Sequence, residues 1–213
     1  MKKNYDVIIF DLDGTLMDTS PGVTASVRYA LRKMGLKDDD AARIRRFIGP
    51  PLHMSFVEFY GMSDADAEKA VAFYRENYSA RGVLEYTPYP GMMELIRLIA
   101  QSGRKVGIAT GKPMKFASVI LEDAGVMPFI GRIVTPSLSD TKDNKPRLIR
   151  EIMDALGENA LMVGDRCFDI DGANANGLDS AGVLQGFGSE EELKKSGATY
   201  IVEGAQGLRE IIL

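Results

Sequence analysis

Six short β-rich runs separated by helix-length segments limit the folds open to this chain more than any other feature. The runs are 7–10, 105–109, 132–135, 161–163, 180–183 and 199–202. Helical spacing is found at 91–102, 113–124, 146–156, 170–176, 190–195 and 205–212. Strand–helix alternation of this kind predicts an α/β fold with a doubly wound parallel sheet, helices covering both faces. Runs such as Val106-Gly107-Ile108-Ala109 show no apolar/polar alternation, as expected of strands buried on both sides.

The alternation fails between about 18 and 87, where only helix signals occur. Ser20-Pro21 reads as a cap followed by a proline at the first helical position, with the helix running to Gly35. Ser63 followed by Asp66 resembles a capping box and opens a second helix with Ala67, Ala70, Val71 and Tyr74 on one face. Two shorter helices fit between them, separated at Ile48-Gly49-Pro50-Pro51. The expected organisation is therefore a core of residues 1–17 and 88–213 with an all-helical domain, 18–87, inserted after the first strand. Hinges are expected at 17–19 and 81–88. The charge runs Asp38-Asp39-Asp40 and Glu190-Glu191-Glu192 read as solvated helix starts.

Composition excludes several functions. A net charge of −4 argues against a broad surface for a nucleic-acid polymer or an anionic membrane, so an anionic ligand needs a local cluster of donors. The apolar stretch behind Met1-Lys2-Lys3 is interrupted at Asp11, too early for a signal peptide, and no segment approaches the roughly 20 apolar residues of a membrane span. A single cysteine, Cys167, cannot form an internal disulfide and fits a reducing compartment, so a cytoplasmic location is expected. With His53 the sole histidine, Ser/His/Asp and Cys/His hydrolase chemistry and a zinc site lack their residues.

In an open parallel sheet, ligands bind beyond the carboxyl ends of the strands. The first strand ends in Asp11-Leu12-Asp13-Gly14. Two carboxylates two residues apart can divide labour, one attacking an electrophile and the other shuttling a proton, while Gly14 lets the backbone turn away. The strand at 105–109 delivers Thr110 and Gly111, whose hydroxyl and backbone N–H suit a phosphate oxygen, although Thr110 also reads as an ordinary helix cap. Lys145, just ahead of Pro146 and a helix start, is electrostatically misplaced unless an anion is neutralised there; Lys142 competes for that role. Asp165 ends the strand at 161–163, and Asp169 follows on the next turn. These two could converge with Asp11 on one hard cation, and an all-oxygen set favours Mg²⁺ beside a phosphate. Asp169 or Asp171 capping the helix is compatible with that role.

In order along the chain, Asp11-Leu12-Asp13-Gly14-Thr15-Leu16, Ala109-Thr110-Gly111-Lys112-Pro113, Asn144-Lys145 and Gly164-Asp165-Arg166-Cys167-Phe168-Asp169 resemble the haloacid-dehalogenase superfamily of phosphatases, with a Rossmann-like core and a helical cap. More narrowly, Phe47-Ile48-Gly49-Pro50-Pro51-Leu52 and Gly186-Phe187-Gly188-Ser189-Glu190-Glu191 resemble the phosphoglycolate phosphatase-like and 5′-nucleotidase-like branch. Gly111 departs from relatives that carry Ser or Asn, which removes a side-chain contact and leaves a backbone N–H. The resemblance implies that Asp11 attacks phosphorus to form an aspartyl-phosphate and that Asp13 protonates the leaving alcohol and then deprotonates water. It implies that Thr110, Gly111 and Lys145 hold the phosphoryl oxygens. It also implies that Asp11, Asp165 and Asp169, with the Asp13 backbone carbonyl, place Mg²⁺.

The expected activity is Mg²⁺-dependent hydrolysis of a small phosphate ester by a monomer or homodimer. A phosphomutase would use the same core, and a phospho-accepting signalling module would share Asp, Thr and Lys at strand ends. Asp13 and the helical insert argue against the signalling module, because a built-in acid/base speeds loss of the aspartyl-phosphate. Arg43, Arg45 and Arg46 are candidates for an anionic leaving group, and solvated helix-face charges otherwise. A nucleoside monophosphate is the favoured substrate, with phosphoglycolate next.

Overall fold

The computed structural model describes residues 3–37, 39–136 and 145–213. Asp38, Lys142 and Asn144, all weighed above, lie outside these residues. Among the described residues, one compact unit comprises 3–18, 88–136 and 145–213, and a second comprises 19–37 and 39–87.

The first unit opens with β1 (Val7–Phe10), four apolar residues with no solvent exposure. A tight turn leads to the two-residue β2 (Met17–Asp18). The second unit then runs as α1 (Ser20–Lys33), α2 (Ala41–Arg45), α3 (Leu52–Tyr60) and α4 (Asp64–Ala80). The chain returns through β3 (Thr87–Pro88), which pairs with β2, and the core resumes with α5 (Met92–Gln101) and β4 (Lys105–Ala109). It continues through α6 (Met114–Asp123), β5 (Arg132–Val134), α7 (Lys145–Leu156) and β6 (Ala160–Gly164). Last come α8 (Cys167–Ala175), β7 (Asp179–Val183), α9 (Glu190–Lys195), β8 (Tyr200–Val202) and α10 (Ala205–Ile212).

The six longer strands form one parallel sheet in the order β5-β4-β1-β6-β7-β8. The chain adds strands to one side of β1 and then to the other, so its topological switch point lies at the carboxyl end of β1, between β4 and β6. A crevice at such a point is where open α/β sheets bind ligands. Register aligns the strand ends: Phe10 is opposite both Ile108 and Val163. On one face, Val7 and Ile9 of β1 and Met162 of β6 pack against Leu148, Ile149 and Ile152 of α7 and Ala173 of α8. Burying each such aliphatic side chain contributes roughly 1.5–3 kcal/mol.

The second unit is built on α4, which packs along α1 and α3. Ser63 caps α4 as the spacing predicted, accepting from the Asp66 backbone N–H at 3.2 Å. Ala67, Ala70, Val71 and Tyr74 form its buried face. The α1 start differs from expectation: Thr19 precedes the helix, Ser20 is its first residue, and no side chain caps it. Proline's fixed φ in that first turn suffices to start the helix without a capping hydroxyl. The short β2–β3 pair was not foreseen, since two residues carry no periodicity.

Candidate active site

The switch point gathers the strand-end residues. Asp11 directly follows β1 and donates its backbone N–H to Val163 at 2.9 Å. Gly14 then takes φ +86°, and its N–H bonds the Met17 carbonyl at 2.8 Å, closing the turn that carries Asp13. A side chain at position 14 is excluded twice, by that φ and by space, because a Cβ there would lie 2.3 Å from Asp165 Oδ2.

Asp11, Asp165 and Asp169 are all buried, and one carboxylate oxygen from each lies within 4.8 Å of the others. Lys145, 7% exposed at its side chain, reaches into this cluster from the first turn of α7. Its Nζ lies 2.9 Å from Asp11 Oδ1, 2.9 Å from the Ala109 carbonyl and 2.8 Å from Asp169 Oδ1. The contact to Asp169 is an ion pair. The misplaced lysine of the sequence is thus neutralised by two carboxylates. Asp169 also accepts from the Arg166 backbone N–H at 3.1 Å, the acidic half of a capping box on α8. Capping and a place in the cluster coexist in one side chain, one oxygen serving each.

Asp165 is clamped by groups the sequence reading did not assign. Thr15 Oγ1 donates to its Oδ1 at 2.9 Å, and the Phe187 backbone N–H donates to its Oδ2 at 2.8 Å. The Gln185 amide in turn holds the Thr15 carbonyl at 2.8 Å. Gly186 permits this approach, since a Cβ there would fall 2.4 Å from Asp165 Oδ2. Partners behind a metal ligand orient it, and their loss typically lowers metal affinity about 10–100-fold. Thr15→Val is therefore expected to weaken divalent-cation binding, measured calorimetrically, by about that factor; an unchanged affinity would contradict the clamp.

Burial drives the electrostatics. Desolvation raises Asp165 to about 8, helped by Asp169 and Asp11 and opposed by the Phe187 N–H and Thr15 hydroxyl. Burial likewise raises Asp11 to about 7; Lys145 pulls it down, while Asp169 and Asp13 push it up. Burial disfavours charge on Lys145, but Asp11 and Asp169 outweigh it and leave the ammonium above its usual range. Three crowded hard-oxygen donors with one cation among them suit a further small divalent cation, which relieves their mutual repulsion.

Because both carboxyls are raised, the folded cation-free protein holds protons that the unfolded chain has already released. This stabilisation is full below the ordinary carboxyl value of 3.8 and is lost as pH rises through about 7 and 8. The Tm of chelator-treated protein should fall between about pH 5.5 and 8.5, and an added divalent cation should raise it more at the upper pH. Asp165→Asn should flatten both trends in differential scanning calorimetry; equal trends in the variant would contradict the assignment.

Thr110 is buried at the end of β4, and its Oγ1 accepts from the Lys112 N–H at 3.1 Å. It does not cap α6, which starts four residues later behind Pro113. Gly111 is exposed with open space where a Cβ would sit, so the departure from Ser or Asn strains nothing. Cys167 is no thiolate: burial, then Glu192, pushes it up to about 11. Within the helical unit, Arg43 pairs with Asp40 at 3.3 Å and Arg46 with Glu58 at 3.4 Å. The Arg46 guanidinium also lies 4.0 Å from the Phe59 ring centroid, and Arg45 is exposed. His53 lies 3.6 Å from Asp64 and is not part of the carboxylate cluster.

Sequence reading passed over Lys112. Its Nζ lies 2.9 Å from Asp13 Oδ1, and the two side chains are 7% and 18% exposed. Nothing in the sequence separates this lysine from a solvated residue at a helix start. Among the described residues, no helix is long and apolar enough to cross a membrane.

The profile of the family described as haloacid dehalogenase-like hydrolase matches residues 8–183. A 5′-nucleotidase of Pseudomonas aeruginosa is 38% identical over 98% of this chain and 96% of its own. The tyrosine-protein kinase PtkA of Mycobacterium tuberculosis is 31% identical over 93% of this chain and 69% of its own. A crystal structure from Clostridium difficile matches all of both chains with a TM-score of 0.91 and 40% identity.

Proposed function

Since the chain belongs to the haloacid dehalogenase-like hydrolases and is a phosphatase of that family, we propose that it hydrolyses a small phosphate monoester through a phosphoryl group carried on Asp11, with Mg²⁺ as cofactor. The observation that carries this reading is the buried meeting of Asp11, Asp165 and Asp169, with Lys145 among them, at the sheet's switch point.

Asp11, Asp165 and Asp169, with the Asp13 backbone carbonyl, are the groups to hold Mg²⁺. When bound, Mg²⁺ supplies positive charge that offsets repulsion between the Asp11 carboxylate and the anionic ester. An Asp11 oxygen bonds to phosphorus as the bond from phosphorus to the ester oxygen breaks, and Asp13 gives that oxygen its proton. Lys145, the Thr110 hydroxyl and the Gly111 N–H hold the phosphoryl oxygens, where charge must be stabilised in the transition state. Water then adds to phosphorus, Asp13 takes its proton, and phosphate leaves with the Asp11 carboxylate restored.

Choice of leaving group is assigned to the helical unit, and a nucleoside 5′-monophosphate is favoured by the nucleotidase relative. The test is phosphate release across nucleotides, phosphoglycolate, sugar phosphates and pyrophosphate, with Mg²⁺ and with a chelator. Turnover of nucleoside monophosphates only with Mg²⁺ is the expected result. Isomerisation of a sugar phosphate without release would instead make the protein a mutase. A long-lived phosphorylated chain with no turnover would make it a phospho-accepting module.

A further inference from the structure

We infer that Lys112 is a positioning residue for proton transfer: by its contact with Asp13 Oδ1 it holds the Asp13 carboxyl group in the orientation from which that group, when protonated, gives its proton to the leaving oxygen. The inference rests on the reading of Asp13 as acid and base given above, and adds a residue to which that reading gave no part.

Three observations carry it. Lys112 Nζ and Asp13 Oδ1 are 2.9 Å apart, with both side chains withdrawn from solvent, so water screens the pair weakly. Asp13 itself sits on a turn fixed by the Gly14 N–H to Met17 bond and by the Asp13–Met17 bridge, which sets its backbone, while the Lys112 contact acts on its side chain. The lysine is anchored at its other end, since its backbone N–H donates to Thr110 Oγ1 at 3.1 Å. The group that bonds Thr110 and the group that steers Asp13 thus belong to one residue. Lysine differs here from Lys145, which is bound to Asp11 and Asp169. The two lysines thus serve different carboxylates, Lys145 the attacking side and Lys112 the proton-transfer side.

No covalent step is assigned to Lys112; it keeps its proton throughout. Its contribution is orientational, because a general acid must lie within hydrogen-bond reach of the oxygen it protonates. The consequence depends on the leaving group. An alkoxide leaving oxygen needs a proton as the bond to phosphorus breaks, whereas p-nitrophenolate leaves with little help.

The test compares kcat/KM, which reports the first phosphoryl transfer, for an alkyl phosphate and for p-nitrophenyl phosphate. It uses the wild type, Lys112→Met, Lys112→Arg, Asp13→Asn and the Lys112→Met/Asp13→Asn double variant. Lys112→Met should lose about 10–100-fold more on the alkyl ester than on the nitrophenyl ester, less than the roughly 10²–10⁴-fold that general acid catalysis supplies, because the acid is misoriented and not removed. Lys112→Arg should recover most of that selective loss. In the Asp13→Asn background, Lys112→Met should cost little more, because the two act as a unit. Equal losses on both esters, or a rise confined to KM, would show that Lys112 binds substrate or supports the fold, and would overturn the inference. If Asp13→Asn itself shows no leaving-group dependence, the acid role of Asp13 fails, a separate outcome from failure of Lys112 alone.

Discussion

Asp11→Asn is expected to lower phosphate release by about four orders of magnitude or more while the protein stays folded, because an amide cannot serve as the nucleophile. Asn is close to Asp in size, so the packing around β1 and the Asp11 N–H bond to Val163 are retained. The substitution also removes one of three crowded carboxylates whose repulsion burial magnifies. Thermal stability without cation should therefore stay equal or rise, even as activity disappears. Loss of stability in step with activity would mean that position 11 serves the fold. Steady-state phosphate release and calorimetry on one preparation separate the two.

Lys145→Met is expected to show the second large effect, on both stability and rate. The ammonium sits between Asp11 and Asp169 with almost no access to water. Removing one partner from a buried ionic cluster leaves charges uncompensated and typically costs about 3–5 kcal/mol. The loss should be largest above about pH 8. It should shrink toward pH 5.5, where the raised Asp11 and Asp165 carboxyls take up protons and the repulsion fades. Activity should fall about 10²–10³-fold, the scale of removing one group that stabilises transition-state charge. A Tm deficit with no pH dependence would contradict the electrostatic account. Full activity in folded protein would contradict the phosphate-binding role.

Legibility of the chain in its sequence followed the range of the interactions. β4 and β6 were visible because strands buried on both faces need unbroken apolar runs, and α4 because its cap and its Ala67, Ala70, Val71, Tyr74 face are local. Asp11, Thr110 and Asp165 were visible because a parallel sheet places whatever follows its strands at one edge. Lys145 was visible through an anomaly, a cation at a helix start. Other parts depend on contacts between distant residues. The Phe187 N–H and the Gln185 amide reach Asp165 and Thr15 only after β7 lies beside β6, and a backbone donor has no sequence signature. Lys112 was overlooked because a lysine before a helix is ordinarily solvated, and only the fold shows its Nζ against Asp13. The β2–β3 pair and the uncapped start of α1 were hidden for the opposite reason: too few residues are involved to form a pattern.

Rapid-quench mass spectrometry of the enzyme turning over its best ester tests the central proposal most directly. The account predicts one phosphoryl group, transient and confined to the peptide carrying Asp11, that appears before free phosphate and is lost in Asp11→Asn. Phosphate released at the full rate with Asp11 never modified, or phosphorylation at another residue, would contradict it.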